Sequence, residues 1–157
     1  MKLTAAIAGS YPNAKVTMSG YDDPIFKIDE IDFKHDEFTL MRVSNGDIFH
    51  EPIDQCQLIL TPLSKISDED AFRCASMCGL HTAGNRVIRI TAAVFVENDT
   101  YQLQISHNGY VCLRKNGALY NMDIRKVYDY LRSKGYDCGH GSIPSLIAAG
   151  VAVEPTH

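Results

Sequence analysis

The chain has 157 residues, of which 45% are apolar and 22% charged, the proportions of an ordinary globular protein. A domain of this length removes about 70% of its unfolded surface from water, which excludes whole-chain disorder and any need for covalent staples. The formal net charge of -4 lacks the basic footprint of a nucleic-acid binder, so nucleic acid is not an expected partner.

That charge is unevenly placed. Residues 1–70 carry 13 acids and 6 bases, whereas residues 71–157 carry 6 acids and 9 bases. A charged partner is steered toward one half or the other. No apolar run approaches the roughly 18–20 residues that cross a bilayer, so no membrane association is expected. Five cysteines are an odd set in a chain large enough to fold without them, so reduced, buried thiols and a cytoplasmic location are expected. The apolar stretch of residues 3–9 meets Tyr11-Pro12 at once and is too short for a secretory leader.

In chain order, residues 3–10 can form two helical turns, and residues 14–18 alternate as a strand. Residues 20–24 carry turn signals. Residues 25–43 offer three candidate strands, around 25–29, 31–34 and 38–43, and Asn45-Gly46 turns the last toward Ile48-Phe49-His50. Residues 56–60 read as a strand stopped by Pro62. Ser67, followed by Asp68, Glu69 and Asp70, caps a helix that Gly79 ends, and Ser67 with Asp70 approximates a capping box.

Residues 86–120 give the best sheet signal: four sequential antiparallel strands joined at Asn98-Asp99, Asn108-Gly109 and Asn116-Gly117. The apolar residues from Val87 to Val96 read as one central strand. Ile124, Val127, Tyr128 and Leu131 form the apolar stripe of a helix over 123–134, capped by Asn121 or Asp123. Residues 136–141 read as a loop, residues 142–150 as a third short helix, and Val151-Ala152-Val153 as an edge strand. The expected architecture is one α+β domain over 1–157. It has an antiparallel meander sheet with two to three short helices on one face, and residues 1–62 are available as a β-rich subdomain.

Few side chains group as a chemical site. Cys74, Cys78 and His81 have spacings that a helix places on one face, and thiolate and imidazole are zinc ligands, but no fourth ligand is fixed. Cys138 and His140 sit in a Gly-rich loop whose amides could stabilise an oxyanion, with His81 as a further catalytic candidate. The acids between Asp22 and Asp54 lack EF-hand spacing. No phosphate-binding glycine loop is present, and no cofactor is expected. Six of the eight tyrosines lie beyond residue 100, and Tyr130 and Tyr136 are candidates for an interface.

Two segments carry a resemblance. Leu58-Ile59-Leu60-Thr61-Pro62-Leu63-Ser64-Lys65-Ile66 is similar to a Leu-Arg-Pro-Leu-Ser-Asp-Leu stretch of small uncharacterised proteins from phages and prophages of Bacteroidetes hosts. Thr61 stands in place of the Arg and Lys65 in place of the Asp. Tyr130-Leu131-Arg132-Ser133-Lys134-Gly135-Tyr136-Asp137 and Ile147-Ala148-Ala149-Gly150-Val151-Ala152-Val153 resemble their C-terminal pattern. The resemblance implies an origin and brings no activity or catalytic residues, and residues 71–122 fall outside it. Together these readings point to a non-enzymatic accessory protein of phage or prophage origin that binds a protein, of the host or its own kind. A small Cys/His hydrolase or transferase and a phage structural or assembly protein are the alternatives.

Overall fold

The computed structural model describes residues 1–18, 25–80 and 84–155. The turn expected over 20–24 and the candidate His81 lie outside those residues. The first elements are α1 (Ala5–Gly9), β1 (Lys15–Met18), β2 (Ile25–Asp32), β3 (Glu37–Arg42), β4 (Ile48–Pro52), β5 (Cys56–Ile59) and β6 (Thr61–Pro62). There follow α2 (Asp68–Met77), β7 (Arg86–Arg89), β8 (Ala93–Glu97), β9 (Tyr101–Ser106), β10 (Val111–Lys115) and β11 (Ala118–Leu119). The chain closes with α3 (Arg125–Ser133), β12 (Tyr136–Asp137) and β13 (Ala152–Val153). The fold is mixed α+β, mostly antiparallel, and among the described residues no helix is long and apolar enough to cross a membrane.

The strands form two main sheets with separate cores. The first has the order β13-β5-β1-β2-β3-β4, and α1, capped by Thr4 accepting from the Ile7 amide, contributes Ala5, Ile7 and Ala8 to its core. The three strands expected between residues 25 and 43 are two. Pairing shifts between Ile28 and Glu30, leaving Asp29 as a bulge inside one continuous β2. Phe26 pairs Arg42, Ile28 pairs Leu40, and after the shift Ile31 pairs the buried Phe38. The extra residue returns Ile31 to the core face, and its alternation falls out of phase with that of Phe26 and Ile28.

The second sheet runs β11-β10-β9-β8-β7, entirely antiparallel. Here the single strand expected from Val87 to Val96 is a hairpin: the Ile90 amide donates to Ala93 O, and Val87 pairs Val96. The turn at Thr91-Ala92 carries none of the Gly, Pro, Asn or Asp residues that mark a reversal. Ala71, Cys74 and Ala75 of α2 and Val127 and Leu131 of α3 cover one face. They share a core with Val94, Val96, Leu103, Ile105, Val111 and Leu113. The α3 helix starts at Arg125, later than expected, and the Asp123 carboxylate accepts from the Arg125 amide.

The C-terminal stretch joins the two halves. Residues 136–137, expected as loop, pair in parallel with Thr61-Pro62, and β13 pairs in parallel with β5. The expected edge strand therefore belongs to the first sheet, and residues 1–62 do not contain that sheet's last strand. The third helix expected over 142–150 is a set of turns. Its Leu146 and Ile147 amides donate to the Asp137 carboxylate instead of to carbonyls of a helix ladder. Leu146 is fully buried in the first core despite lying outside regular structure. Leu146→Ala is expected to lower unfolding free energy by about 2–5 kcal/mol, read as a fall in urea midpoint at unchanged m-value.

Candidate functional site

The thiols are placed for packing. All five cysteines are buried and no disulfide joins them. Cys74 lies on the core face of α2 and Cys78 follows its last turn. Burial pushes the Cys74 and Cys56 thiols up to about 12, and Cys78 upward as well. A thiol held neutral is a poor ligand and a poor nucleophile. Among the described residues no three His, Cys, Asp or Glu side chains gather as a metal site, and the position of His81 lies outside them.

Tyr130 and Tyr136, the interface candidates, both serve an internal carboxylate. Ser67 caps α2 as expected, its Oγ accepting from the Asp70 amide at 3.1 Å. The Asp70 side chain does not reach back to the Ser67 amide. Tyr136 does so in its place: its hydroxyl accepts from Ser67 N–H at 3.3 Å and donates onward to Asp70. Tyr130 OH donates to the other Asp70 oxygen at 2.7 Å. Asp is one methylene shorter than the Glu of a full capping box, and a phenol from β12 bridges the gap. The Tyr136 ring is buried in the second core and is not a surface contact, whereas Tyr130 is half-buried. Burial acts to raise the Asp70 carboxyl, yet donation by Tyr136, Tyr130 and Ser67 outweighs it and holds the group below the usual carboxylate range.

Asp137 organises the loop that follows it. It is 4% exposed and accepts from the Gly139, Leu146 and Ile147 amides and from Ser145 Oγ. The fully buried Tyr11 meets the same loop, its hydroxyl donating to Gly139 O and accepting from Cys138 N–H. Gly139 has φ of +71°, and a Cβ there would lie 2.1 Å from Ile143 O, so only glycine fits this turn.

The described catalytic candidates, Cys138 and His140, line one cleft of about 510 Å³ with Arg125, Tyr128, Arg132 and Tyr110. They come together in space without the chemistry of a nucleophile and base. Burial pushes the Cys138 thiol up to about 12, overriding the opposing pull of Arg132. His140 Nδ1 is hydrogen-bonded to Ser10 Oγ at 2.9 Å, and among the described residues no hydrogen bond ends on Cys138 Sγ. The spacing had shown two reactive residue types; what it could not show is that the thiol points into low dielectric.

A second surface has no counterpart in the sequence reading. Strand β4 is an edge of the first sheet, opposite the two-residue β13. Lys27 pairs Met41, Met41 pairs Ile48, and the Val43 amide donates to Ile25 O, which places these side chains together on the face away from the core. Val43 is 52% and Ile48 53% exposed. The same face turns acidic along the strands, with Glu30 beside Thr39 and Asp32 beside Glu37. Two imidazoles sit there: His35 Nδ1 is 2.8 Å from Asp32, whose hydrogen bond raises the His35 pKa, and His50 Nδ1 is 3.8 Å from Glu37.

No protein-family model, curated protein or solved structure matches the chain. The Asp70 cluster supplies a direct test of the site geometry. Because the folded Asp70 pKa is depressed, its contribution is fully present above the unfolded value of about 3.9 and is lost as pH falls through the folded one. Asp70→Asn is expected to cost about 1–3 kcal/mol at pH 7. The gap from the parent should narrow as the pH of the urea titrations is lowered below about 4.

Proposed function

We propose that this is a non-enzymatic binding protein, an accessory protein of phage or prophage origin acting in the cytoplasm, which receives an extended segment of a protein partner along β4. The observation that carries the reading is the open β4 edge flanked by the exposed Ile48 and Val43 and the half-buried Ile25 and Met41. An added strand satisfies the edge's backbone groups while its alternate side chains cover the apolar corner. Glu30, Asp32 and Glu37 continue the same face, so the fitting segment is apolar at one end and basic at the other. The resemblance to phage and prophage proteins supports the origin. The neutral thiol of Cys138 and the engagement of His140 by Ser10 weigh against a hydrolase or transferase.

A second copy of the chain is the competing occupant, since two β4 edges can pair about a twofold axis. Affinity capture from infected or lysogenic host cells, run beside light scattering of the isolated protein, tests both. The expected result is a monomer that captures a partner reproducibly. Val43→Lys with Ile48→Lys should reduce that capture about tenfold or more without lowering Tm, and added salt should weaken it. Capture untouched by the paired substitution would contradict the reading. A dimer that the same substitution dissociates would transfer the edge to self-assembly.

A further inference from the structure

Besides the β4 edge, one concave surface joins positive charge, aromatic rings and a fixed wall. It is the cleft between α3, the Asn108-Gly109 turn and the loop of residues 138–144. We propose that this cleft binds a small organic oxyanion, a phosphate monoester or a carboxylate, attached to a flat ring.

The charge argument rests on Arg132. Its Nη2 donates to Gly139 O at 3.2 Å and its guanidinium carbon lies 5.7 Å from the centre of the Tyr128 ring, so the group is held in place. Its Nε is buried without a hydrogen-bond partner, and among the described residues Nη1 has none either. With Nε buried and Nη2 held by Gly139 O, Nη1 is the donor left for an oxyanion, on a guanidinium that is already fixed in place. Arg125 is held by both oxygens of Asp123, an ion pair that leaves it without a free fork and with its charge offset. His140 has its Nδ1 on Ser10, and among the described residues Nε2 has no partner. One carboxylate, Asp129, also lines the cleft and offers an acceptor for a hydroxyl or amine elsewhere on the ligand.

The ring argument rests on Tyr110, Tyr128, Ile143 and Pro144, all in the lining. Tyr110 is 55% exposed, although the adjacent Val111 amide, which donates to Tyr128 OH, holds the strand start in place. A volume of about 510 Å³ suits a small organic molecule and exceeds what an inorganic ion fills. The wall is preformed. Asp137 holds residues 139 and 145–147, and a Cβ at Gly109 would lie 2.9 Å from Cys138 O, so the turn and the loop are in direct contact.

The test uses the full chain with phenyl phosphate, benzoate and inorganic phosphate as probes, followed by amide and Arg Nε–H NMR shifts. Saturable binding of phenyl phosphate or benzoate is expected at millimolar concentration or below, with the Arg132 Nε–H and the amides of Tyr110, His140 and Gly141 shifting. The tighter of the two probes identifies the oxyanion class. Arg132→Gln should weaken binding about tenfold or more, the loss expected for a charge-assisted hydrogen bond. Arg132 also supports Gly139, so Tyr110→Ala serves as the variant outside the packed core. It should weaken phenyl phosphate or benzoate and leave inorganic phosphate unchanged. No saturable binding of either ring-bearing probe, or binding that both variants leave unchanged, overturns the proposal. Val43→Lys with Ile48→Lys should leave it intact, so this test and the β4 test fail separately.

Discussion

A single buried carboxylate organises the loop that runs between the molecule's two halves. Asp137 leaves water almost completely, and the cost of burying a charge is offset only because four donors converge on it. Those donors come from the start and the end of one loop, so the chain between β12 and β13 is drawn into a knot. One end of the knot rests on β6 and the second core; the other delivers Leu146, Val151 and Ala152 to the first core. Tyr11 reaches the same loop from the opposite half with both hydrogen-bonding functions of its hydroxyl in use. Removing the carboxylate leaves three amides and a hydroxyl to find other acceptors in a place with little water.

The two candidate surfaces depend on this seam differently. The cleft is built from it: the loop of residues 138–144 is one wall, and Arg132 is held against Gly139 O within it. The β4 edge lies at the far side of the first sheet, with β3, β2 and β1 between it and β5. At the other end of that sheet β13 is an edge of only two residues, so β4 is the longer of the two edges.

Much of the architecture was legible because local chemistry and tertiary structure agreed. Ser67 with three acids behind it does begin α2, and Asn108-Gly109 and Asn116-Gly117 do reverse the second sheet. The failures have two causes: bulges and turns that no marker residue announces, and pairing between residues far apart in the chain. The bulge at Asp29 makes one strand look like two, and the turn at Thr91-Ala92 makes two strands look like one. The parallel pairings of β12 and β13 join residues far apart in the chain, and no periodicity records them. Cys138 and His140 were visible as reactive types, but exposure and tautomer partners decide reactivity, and both are tertiary properties. Asp137 and Arg132 were missed as organising groups because an Asp after a Tyr and an Arg in the last turn of a helix look like ordinary surface charges.

The central claim is that the Asp137 loop makes two sheets with separate cores unfold as one body. Native-state amide hydrogen exchange on the parent and on Asp137→Asn tests it most directly. The account predicts similar opening free energies for amides of β1, β5, β8 and β9 in the parent. In the variant those of both sheets should fall together, by about 1–3 kcal/mol. A variant in which exchange quickens only at Gly139, Leu146 and Ile147 while both sheets keep their protection would contradict it.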